Sequence, residues 1–207
     1  MKLKVCGMRD AGNIEALLSL SPDYIGFIFY EKSPRYVGDV LSSELVLRLI
    51  PNTVQKVGVF VNMEVNSLLK VADSYKLDVI QLHGNESPEM CKEVKQAGYQ
   101  VVKVFGVDES FDFSRLAPYE AHVDFFLFDT KSPAHGGTGK TFDWTVLEGY
   151  SSDKPFFLSG GISLENIKEV NTLIHPQLYA LDVNSRFETA PGLKDISLLE
   201  DLKANMI

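Results

Sequence analysis

The stretch VDFFLFDTKSPAHGGTGKTFDW, residues 123–144, decides the fold. It begins with an apolar run at residues 125–128, which ends on the carboxylate of Asp129 and is followed by a loop with glycines at positions 136, 137 and 139. An apolar run of this length, bounded by turn residues, is typical of a parallel strand that is buried on both faces. The pattern places Asp129 at the carboxyl end of that strand, where catalytic groups of parallel α/β proteins usually lie. An aspartate that only caps the turn is the alternative.

Composition and charge exclude several classes of protein. The chain has 207 residues, of which 45% are hydrophobic, and we expect residues 1–207 to form one domain with a sizeable core. A net charge of −8 predicts no nucleic-acid partner, because the phosphate backbone is bound by basic surfaces. No run approaches the ~20 apolar residues of a membrane span, and the first residues contain no apolar signal segment. With two widely separated cysteines, Cys6 and Cys91, we expect a cytoplasmic protein with free thiols.

Apolar runs of strand length recur along the whole chain. There are eight of them, rich in Val, Ile and Phe, at residues 3–6, 24–29, 56–61, 79–82, 100–105, 124–128, 155–158 and 178–183. Stretches with helical spacing lie between them, although those near residues 113–116 and 144–147 are weak. Eight such units predict an α/β fold, a single (β/α)8 TIM barrel, in which a chain of this length must have some short helices. A doubly wound open sheet is the alternative, but no Gly-x-Gly-x-x-Gly follows the first run.

Polar residues follow most of the predicted strands. In a TIM barrel the carboxyl ends of all strands meet at one mouth, where the active site is built. The residues at these ends include a thiol, carboxylates and cationic groups: Cys6, Arg35, Asn62, His83, Asp129 and Asp182. Each is a weak signal alone, but together they predict a polar ring around one cavity.

The loops after strands seven and eight are candidates for phosphate binding. Gly160 and Gly161 allow backbone N–H groups to approach an anion closely. Asn184, Ser185 and Arg186 offer further donors, and a short helix beginning there would add its N-terminus. TIM barrels often bind phosphate at this place. A plain tight turn at residues 160–161 is the alternative.

The cysteines and histidines leave the chemistry partly open. Cys6 fits either a reactive thiol or a small buried hydrophobe, whereas Cys91 lies on the apolar face of a predicted helix and is expected to be structural. His83 fits either a site residue or a structural histidine, and His135 lies in the Gly-rich loop. Because no group of His, Cys and acidic residues has the spacing of metal ligands, the sequence predicts no metal.

Short motifs from one end of the chain to the other resemble those of the phosphoribosylanthranilate isomerase family. They are KVCGM (4–8), GFIFY (26–30), SPRYV (33–37), VGVFVN (57–62), QLHG (81–84), FDTK (128–131), GGTGKTFDW (136–144), LSGGI (158–162), DVNS (182–185) and PGLKD (191–195). Because so many motifs occur in this order, the resemblance covers nearly the whole chain.

This resemblance implies an enzyme of the third step of tryptophan synthesis from chorismate, an internal Amadori rearrangement without cofactor or metal. N-(5-phosphoribosyl)anthranilate becomes 1-(2-carboxyphenylamino)-1-deoxyribulose 5-phosphate. By analogy with the family, Asp129 is the general acid that opens the ribose ring, and Cys6 is the general base that removes the C2′ proton. Arg35 matches the residue that holds the anthranilate carboxylate, and His83 and Asp182 are expected to contact the substrate. We expect a monomer or a homodimer.

One segment departs from the family pattern. The family commonly reads Ser-Ser-Gly-Val-Glu after the Asp of strand eight, whereas this chain reads Asn-Ser-Arg-Phe-Glu at residues 184–188. Either the side chain of Arg186 binds the phosphate, or the backbone N–H groups of Ser185 and Arg186 do so while that side chain lies in solvent. The sequence favours the backbone, because the apolar Phe187 is expected to anchor the loop.

Rival activities lack their residues. An indole-glycerol-phosphate synthase needs a catalytic Lys and Glu at strand ends, and a pentose-phosphate epimerase needs paired Asp and His metal ligands; we find neither set. A barrel that binds a phosphorylated ligand without catalysis is the rival from another class. The presence of both Cys6 and Asp129 argues against it.

Overall fold

Eight parallel strands close into a barrel in the computed structural model, which describes residues 1–131, 141–173 and 175–206. The strands are β1 (Lys2–Val5), β2 (Tyr24–Ile28), β3 (Gln55–Phe60), β4 (Val79–Leu82), β5 (Gln100–Val107), β6 (Phe125–Thr130), β7 (Phe156–Leu158) and β8 (Leu178–Val183). Each strand pairs with the next, and β8 closes the barrel on β1, where Lys4 lies opposite Asp182. The predicted TIM barrel is confirmed, and each predicted strand agrees with its observed bounds to within two residues.

Six α-helices are present in the described part of the chain. They are α1 (Ala11–Leu18), α2 (Ser43–Leu49), α3 (Val65–Tyr75), α4 (Pro88–Gln96), α5 (Ile167–Thr172) and α6 (Ile196–Asn205). Helix α4 begins as predicted: the hydroxyl of Ser87 accepts a hydrogen bond from the N–H of Met90 at 3.3 Å, and Pro88 occupies a position that needs no N–H donor. The thiol of Cys91 is fully buried on this helix, as predicted.

Short 3₁₀ helices replace α-helices in the two connections where the helical pattern is weak. The described parts of the connections after β5 and β6 contain only the 3₁₀ segments Phe113–Leu116, Glu120–His122 and Trp144–Gly149. Two further 3₁₀ segments are Gly38–Val40 and Ser185–Phe187. These short elements agree with the expectation for a barrel of this length. No helix in residues 1–131, 141–173 and 175–206 is long and apolar enough to cross a membrane.

Two apolar clusters lie on the two sides of the strands. The larger cluster fills the space between the strands and the surrounding helices. The smaller one fills the barrel interior with nine buried side chains: Tyr24, Val57, Val79, Val102, Val104, Phe125, Leu127, Phe157 and Ala180. The barrel is therefore packed with side chains over this part of its length, and a cavity for chemistry has to lie beyond this inner cluster.

A small hairpin follows the last barrel strand. Strand β9 (Glu188–Ala190) pairs antiparallel with β10 (Leu193–Lys194), with Lys194 in register with Glu188. This pairing brings two charged side chains from the end of the chain next to each other, close to the mouth of the barrel.

Candidate active site

Strand alternation carries polar side chains to the carboxyl end of the barrel. Successive side chains of a strand point to opposite faces, so residues two apart share the interior face. Two residues beyond members of the inner apolar cluster, the interior face becomes polar: Leu127 is followed by Asp129, Val79 by Gln81, and Ala180 by Asp182. The same alternation puts His83 above Gln81 and Cys6 above Lys4. The structure thus brings together, at one mouth, most of the residues that the strand ends single out.

Asp129 lies near the end of β6 and is 7% exposed. Its Oδ1 accepts a hydrogen bond from the N–H of Thr130 at 2.8 Å, and its Oδ2 is 3.6 Å from Nε2 of His83. Gly160 packs directly on this carboxyl group, since a Cβ at position 160 would lie 3.1 Å from Oδ1 of Asp129. The carboxyl group is therefore held in place from two sides, with two nearby donors for the negative charge that remains after it gives up a proton.

His83 connects Asp129 to a buried amide. Its Nδ1 lies 3.5 Å from Nε2 of Gln81, a side chain that is 1% exposed. With the amide N–H facing Nδ1, that nitrogen would accept and the ring proton would be on Nε2, the nitrogen that faces Asp129. In this tautomer the Nε2–H of His83 points toward Oδ2 of Asp129. The Oε1 of Gln81 is buried and has no hydrogen-bond partner within the described residues.

Cys6 lies just after β1 and is 5% exposed. Its Sγ occupies the space beside Gly26 on the neighbouring strand β2, because a Cβ at position 26 would lie only 2.8 Å from the sulfur. The pKa of the Cys6 thiol is raised, above all by burial and further by Asp182, and the nearby groups of Lys4 and Lys194 offset only part of this rise by favouring the thiolate. The thiol is thus a buried group next to two cations, which is a suitable setting for a base.

Lys4 and Asp182 form a buried ion pair beneath the mouth. The Nζ of Lys4 donates to Oδ1 of Asp182 at 2.8 Å, and the side chains are 1% and 6% exposed. Burial disfavours the charged form of Lys4, but Asp182 and Cys6 outweigh burial and raise the pKa of Lys4 above its ordinary value. Burial also raises the pKa of Asp182, which is close enough to Asp129 for the two carboxyl groups to repel each other. Asp182 therefore lies between the Cys6 side and the Asp129 side of the cavity.

Arg35 is held by an acidic partner at the rim of the mouth. Its Nε and Nη2 donate to the carboxylate of Glu188 at 2.7–3.0 Å, and the two side chains are 11% and 4% exposed. The Nζ of Lys194 donates to the same carboxylate at 2.5 Å and to Oδ1 of Asn184 at 2.7 Å. Burial would raise the pKa of Glu188, but Arg35 and Lys194 outweigh it, and that pKa is lowered. These four side chains form one polar cluster, which we call the rim cluster: Arg35, Asn184, Glu188 and Lys194.

The glycines after β7 have the left-handed backbone that only glycine adopts easily. Gly160 has φ +90° and Gly161 has φ +67°. The carbonyl of Gly161 accepts from the side chain of Asn166, whose Oδ1 in turn accepts from the N–H of Ser163, so the turn is fixed from within. Among the described residues, the backbone N–H groups of Gly160 and Gly161 donate to no protein acceptor. They are available to an anion.

The segment after β8 combines an anchored residue with an exposed one. Ser185–Phe187 is a single 3₁₀ turn, in which Phe187 is 1% exposed while Arg186 is exposed. The expectation that Phe187 anchors this loop is confirmed. The side chain of Asn184 is turned toward the other members of the rim cluster, because its Oδ1 accepts from Lys194 and lies next to Gly7.

Other histidines lie away from this cavity or outside the described residues. His122 lies in a 3₁₀ segment before β6, and His175 packs on the rings of Tyr150 and Phe156. His135 and the glycines at 136, 137 and 139 fall in residues 132–140, outside the described residues. In the part of the chain that the structure describes, no three His, Cys, Asp or Glu side chains are grouped in a way that could hold a metal ion.

Sequence reasoning gave no role to four residues that shape this site. Lys4 lies inside an apolar strand, and a lysine in such a run is itself a signal of a buried partner. Gly26 interrupts the second strand, which signals a close approach by another group, here the Cys6 sulfur. Glu188 follows the DVNS motif, and Lys194 lies in the PGLKD motif. Glu188 binds both Arg35 and Lys194, but its contact with Arg35 is long-range and cannot be predicted from sequence spacing.

The fold and the site define a class: a TIM-barrel enzyme whose candidate catalytic residues lie at the carboxyl ends of the strands. A family model described as N-(5'phosphoribosyl)anthranilate (PRA) isomerase matches residues 3–205. An N-(5'-phosphoribosyl)anthranilate isomerase of Parabacteroides distasonis is 45% identical over 201 residues, which cover 97% of this chain and 91% of that protein.

Solved structures agree with this assignment. A structure of monomers generated from the dimeric phosphoribosylanthranilate isomerase of Thermotoga maritima is 33% identical, with a TM-score of 0.82 over 99% of this chain and 97% of that one. A phosphoribosylanthranilate isomerase in complex with reduced 1-(o-carboxyphenylamino)-1-deoxyribulose 5-phosphate is 32% identical, with a TM-score of 0.82 and the same coverage. The chain belongs to the N-(5'-phosphoribosyl)anthranilate isomerase family. It is an isomerase of tryptophan biosynthesis.

Proposed function

We propose that Asp129 and Cys6 are the acid and the base with which this isomerase converts N-(5-phosphoribosyl)anthranilate into 1-(2-carboxyphenylamino)-1-deoxyribulose 5-phosphate. The observation that carries this assignment is the position of Asp182, whose buried carboxyl group accepts from Lys4, two residues before Cys6, and lies close to Asp129. A protonatable carboxyl group and a thiol thus face one cavity from strands on different sides of β8.

The first step is ring opening. The carboxylic acid of Asp129 gives its proton to the ribose ring oxygen, the bond from that oxygen to C1′ breaks, and the anthranilate nitrogen forms a protonated Schiff base with C1′. Asp129 is left as a carboxylate. The N–H of Thr130 and the Nε2–H of His83 stabilise that charge, and they are already in place before the reaction.

The second step is proton removal from C2′. The thiolate of Cys6 takes this proton, and the electron pair moves to form an enolamine, which neutralises the nitrogen. The enol then loses its hydroxyl proton and C1′ gains one, so that C2′ becomes the ketone carbon. C2′ is oxidised and C1′ is reduced by the same pair of electrons, so the step balances without any co-reactant. Lys4 and Lys194 support the thiolate that begins this step.

The two anionic ends of the substrate are assigned to different groups at the mouth. Arg35 takes the anthranilate carboxylate, because a planar guanidinium suits a carboxylate. The N–H groups of Gly160, Gly161 and Ser185 take the phosphate, and Asn184 and Arg186 flank that site. His83 contacts the ribose near the reacting carbons. Asp182 lies beside them and is held in place by its ion pair with Lys4.

Replacement of the acid and of the base tests these roles. Asp129→Asn keeps the shape but not the proton, and Cys6→Ala removes the base, so each should lower kcat by at least roughly 100-fold. The assay follows the loss of phosphoribosylanthranilate fluorescence after the substrate is made in situ. Cys91→Ala is the matched control, because Cys91 is also buried but lies on α4, and it should retain its kcat. A Cys6→Ala enzyme with near-normal kcat would refute the assignment of the base.

The setting of the enzyme is a further part of the proposal. We place it in the cytoplasm, which is supported by its two cysteines, both of them free thiols. A monomer and a homodimer are both compatible with its family, since the Thermotoga maritima relative is described as dimeric. Light scattering on the eluting peak of a size-exclusion column distinguishes the two.

A further inference from the structure

We propose that Glu188 is a positioning residue, which holds the guanidinium of Arg35 so that one edge of it faces the anthranilate carboxylate of the substrate. The inference rests on the proposed function, in which Arg35 binds that carboxylate. It adds a residue that does not touch the substrate but determines how Arg35 does.

The donors of Arg35 divide into two sets. A guanidinium carries five N–H groups in one plane. Glu188 takes the N–H of Nε and one N–H of Nη2, at 2.7–3.0 Å. No other described side chain or carbonyl accepts from this guanidinium, so both N–H groups of Nη1 and the second one of Nη2 remain. One N–H of Nη1 and the second N–H of Nη2 lie side by side on the adjacent edge of the guanidinium, and a carboxylate can accept there in the bidentate manner.

Glu188 is itself held rigidly. Its Oε1 accepts from Nζ of Lys194 at 2.5 Å and from the N–H of Gly192 at 3.0 Å. Both donors belong to the hairpin that also contains Glu188. Lys194 is 3% exposed and is fixed at its other side by Asn184. Glu188 therefore cannot follow Arg35 if that side chain moves, and Arg35 has to stay where Glu188 keeps it. A side chain held in this way loses little further freedom when substrate binds.

Charge supports the same role. With all three groups ionised, Arg35, Glu188 and Lys194 have a formal sum of +1 (two cations and one anion). The pKa of Glu188 is lowered by Arg35 and Lys194, so Glu188 is ionised at neutral pH. The rim cluster thus remains attractive to an anion after Glu188 has neutralised one of its cations. Arg35 also packs closely on Gly7, since a Cβ at position 7 would lie 2.7 Å from Cδ of Arg35.

The test compares Glu188→Gln with wild type and with Glu200→Gln. Gln keeps the shape of the side chain, which avoids leaving two cations around a void, but loses the charge. Glu200 is exposed on α6 and controls for the change in net charge. We expect Glu188→Gln to raise KM roughly tenfold with kcat changed less than about threefold, which is the size of one charge-assisted contact. Arg35→Lys should also raise KM, and the double variant should add little to the greater single effect.

A binding measurement separates positioning from a merely structural role. Two probes are compared. The first is reduced 1-(2-carboxyphenylamino)-1-deoxyribulose 5-phosphate, and the second is the same compound without the ring carboxylate. Glu188→Gln should weaken the first by roughly tenfold and the second by less than about twofold. Equal weakening of both probes, or a lower melting temperature with unchanged KM, would overturn the inference while leaving the isomerase activity established. Absence of turnover by the wild-type enzyme would overturn the proposed function and this inference with it.

Discussion

Gly160 sets how closely the end of β7 approaches Asp129. A Cβ at this position would lie 2.3 Å from Oγ1 of Thr130 and 2.6 Å from the backbone nitrogen of the same residue. The second contact is to backbone, which cannot turn away as a flexible side chain does. The residue also has φ +90°, where side chains are strained. Gly160 therefore serves two purposes: it allows the left-handed turn after β7, and it leaves the space that Asp129 and Thr130 occupy.

Gly160→Ala should therefore lower kcat/KM far more than Gly98→Ala does, whereas the melting temperatures of the two variants should differ little. The added methyl group must displace Thr130 and Asp129, and a displacement on the order of 1 Å at a reacting group costs roughly 100-fold in rate. Gly98→Ala is the matched control, because Gly98 has φ +97° but a Cβ there would meet nothing within 4 Å. Steady-state kinetics and thermal melting of both variants decide the matter. If Gly98→Ala loses as much kcat/KM as Gly160→Ala, the close approach to Asp129 is irrelevant.

At the scale of elements, the strands were predictable and the outer connections were less so. Parallel barrel strands are buried on both faces, so each appears as a continuous apolar run, and all eight were predicted to within two residues. Between β5 and β6 the helical pattern is weak, and aromatic contacts take the place of a helix face. Phe113 packs against Phe111 and Phe128, with ring centroids 5.1 and 5.8 Å away. Such contacts depend on the closed barrel and leave no periodic signal in the sequence.

The 3₁₀ turn at Ser185–Phe187 gives the next prediction. Phe187 is buried and anchors the turn, whereas the side chain of Arg186 is exposed, so the backbone of the turn is the more rigid part. We expect Arg186→Ala to cost less than about tenfold in kcat/KM, which corresponds to roughly 1.4 kcal/mol. Phe187→Ala should be far more harmful, with a loss of stability of about 3–5 kcal/mol.

Further measurements test whether the backbone or the side chain of this segment binds the phosphate. A bulky residue at Gly161 should lower kcat/KM more than Arg186→Ala does, because φ +67° favours glycine there and the N–H of Gly161 is assigned to the phosphate. A loss well above tenfold for Arg186→Ala would instead make its side chain a phosphate ligand. Inhibition by inorganic phosphate, measured for each variant, reports on the same site without the rest of the substrate.

At the scale of the whole molecule, charged partners join the two ends of the chain. The Arg35–Glu188 pair spans 153 positions and the Lys4–Asp182 pair spans 178. The strand ends predicted that Cys6, His83, Asp129 and Asp182 would meet, because barrel topology alone brings strand ends together. Topology does not say which cation pairs with which anion, since pairing depends on register and rotamers. The rim cluster and the Lys4 pair therefore became visible only in the structure.

Lys4 and Asp182 lie opposite each other where β8 closes the barrel on β1, so we expect the pair to be decisive for stability. Lys4→Met leaves a buried carboxylate without a partner, which should lower the free energy of unfolding by roughly 3–5 kcal/mol in urea titrations. Lys131→Met breaks an exposed ion pair with Asp108 and should cost less than about 1 kcal/mol.

The loss of unfolding free energy in Lys4→Met should depend on pH, and the pKa of Asp182 determines the direction of this dependence. Burial raises its pKa above the ordinary value of 3.8, and without Lys4 nothing comparable opposes that effect. A buried acid with a raised pKa destabilises the fold at high pH, and this cost disappears as pH falls through the folded pKa toward 3.8. The difference between Lys4→Met and wild type should therefore shrink on acidification from pH 7. Lys4→Met/Asp182→Leu should recover most of the lost stability at neutral pH, because neither charge is then buried. A Lys4→Met protein within about 1 kcal/mol of wild type at pH 7 would contradict the prediction.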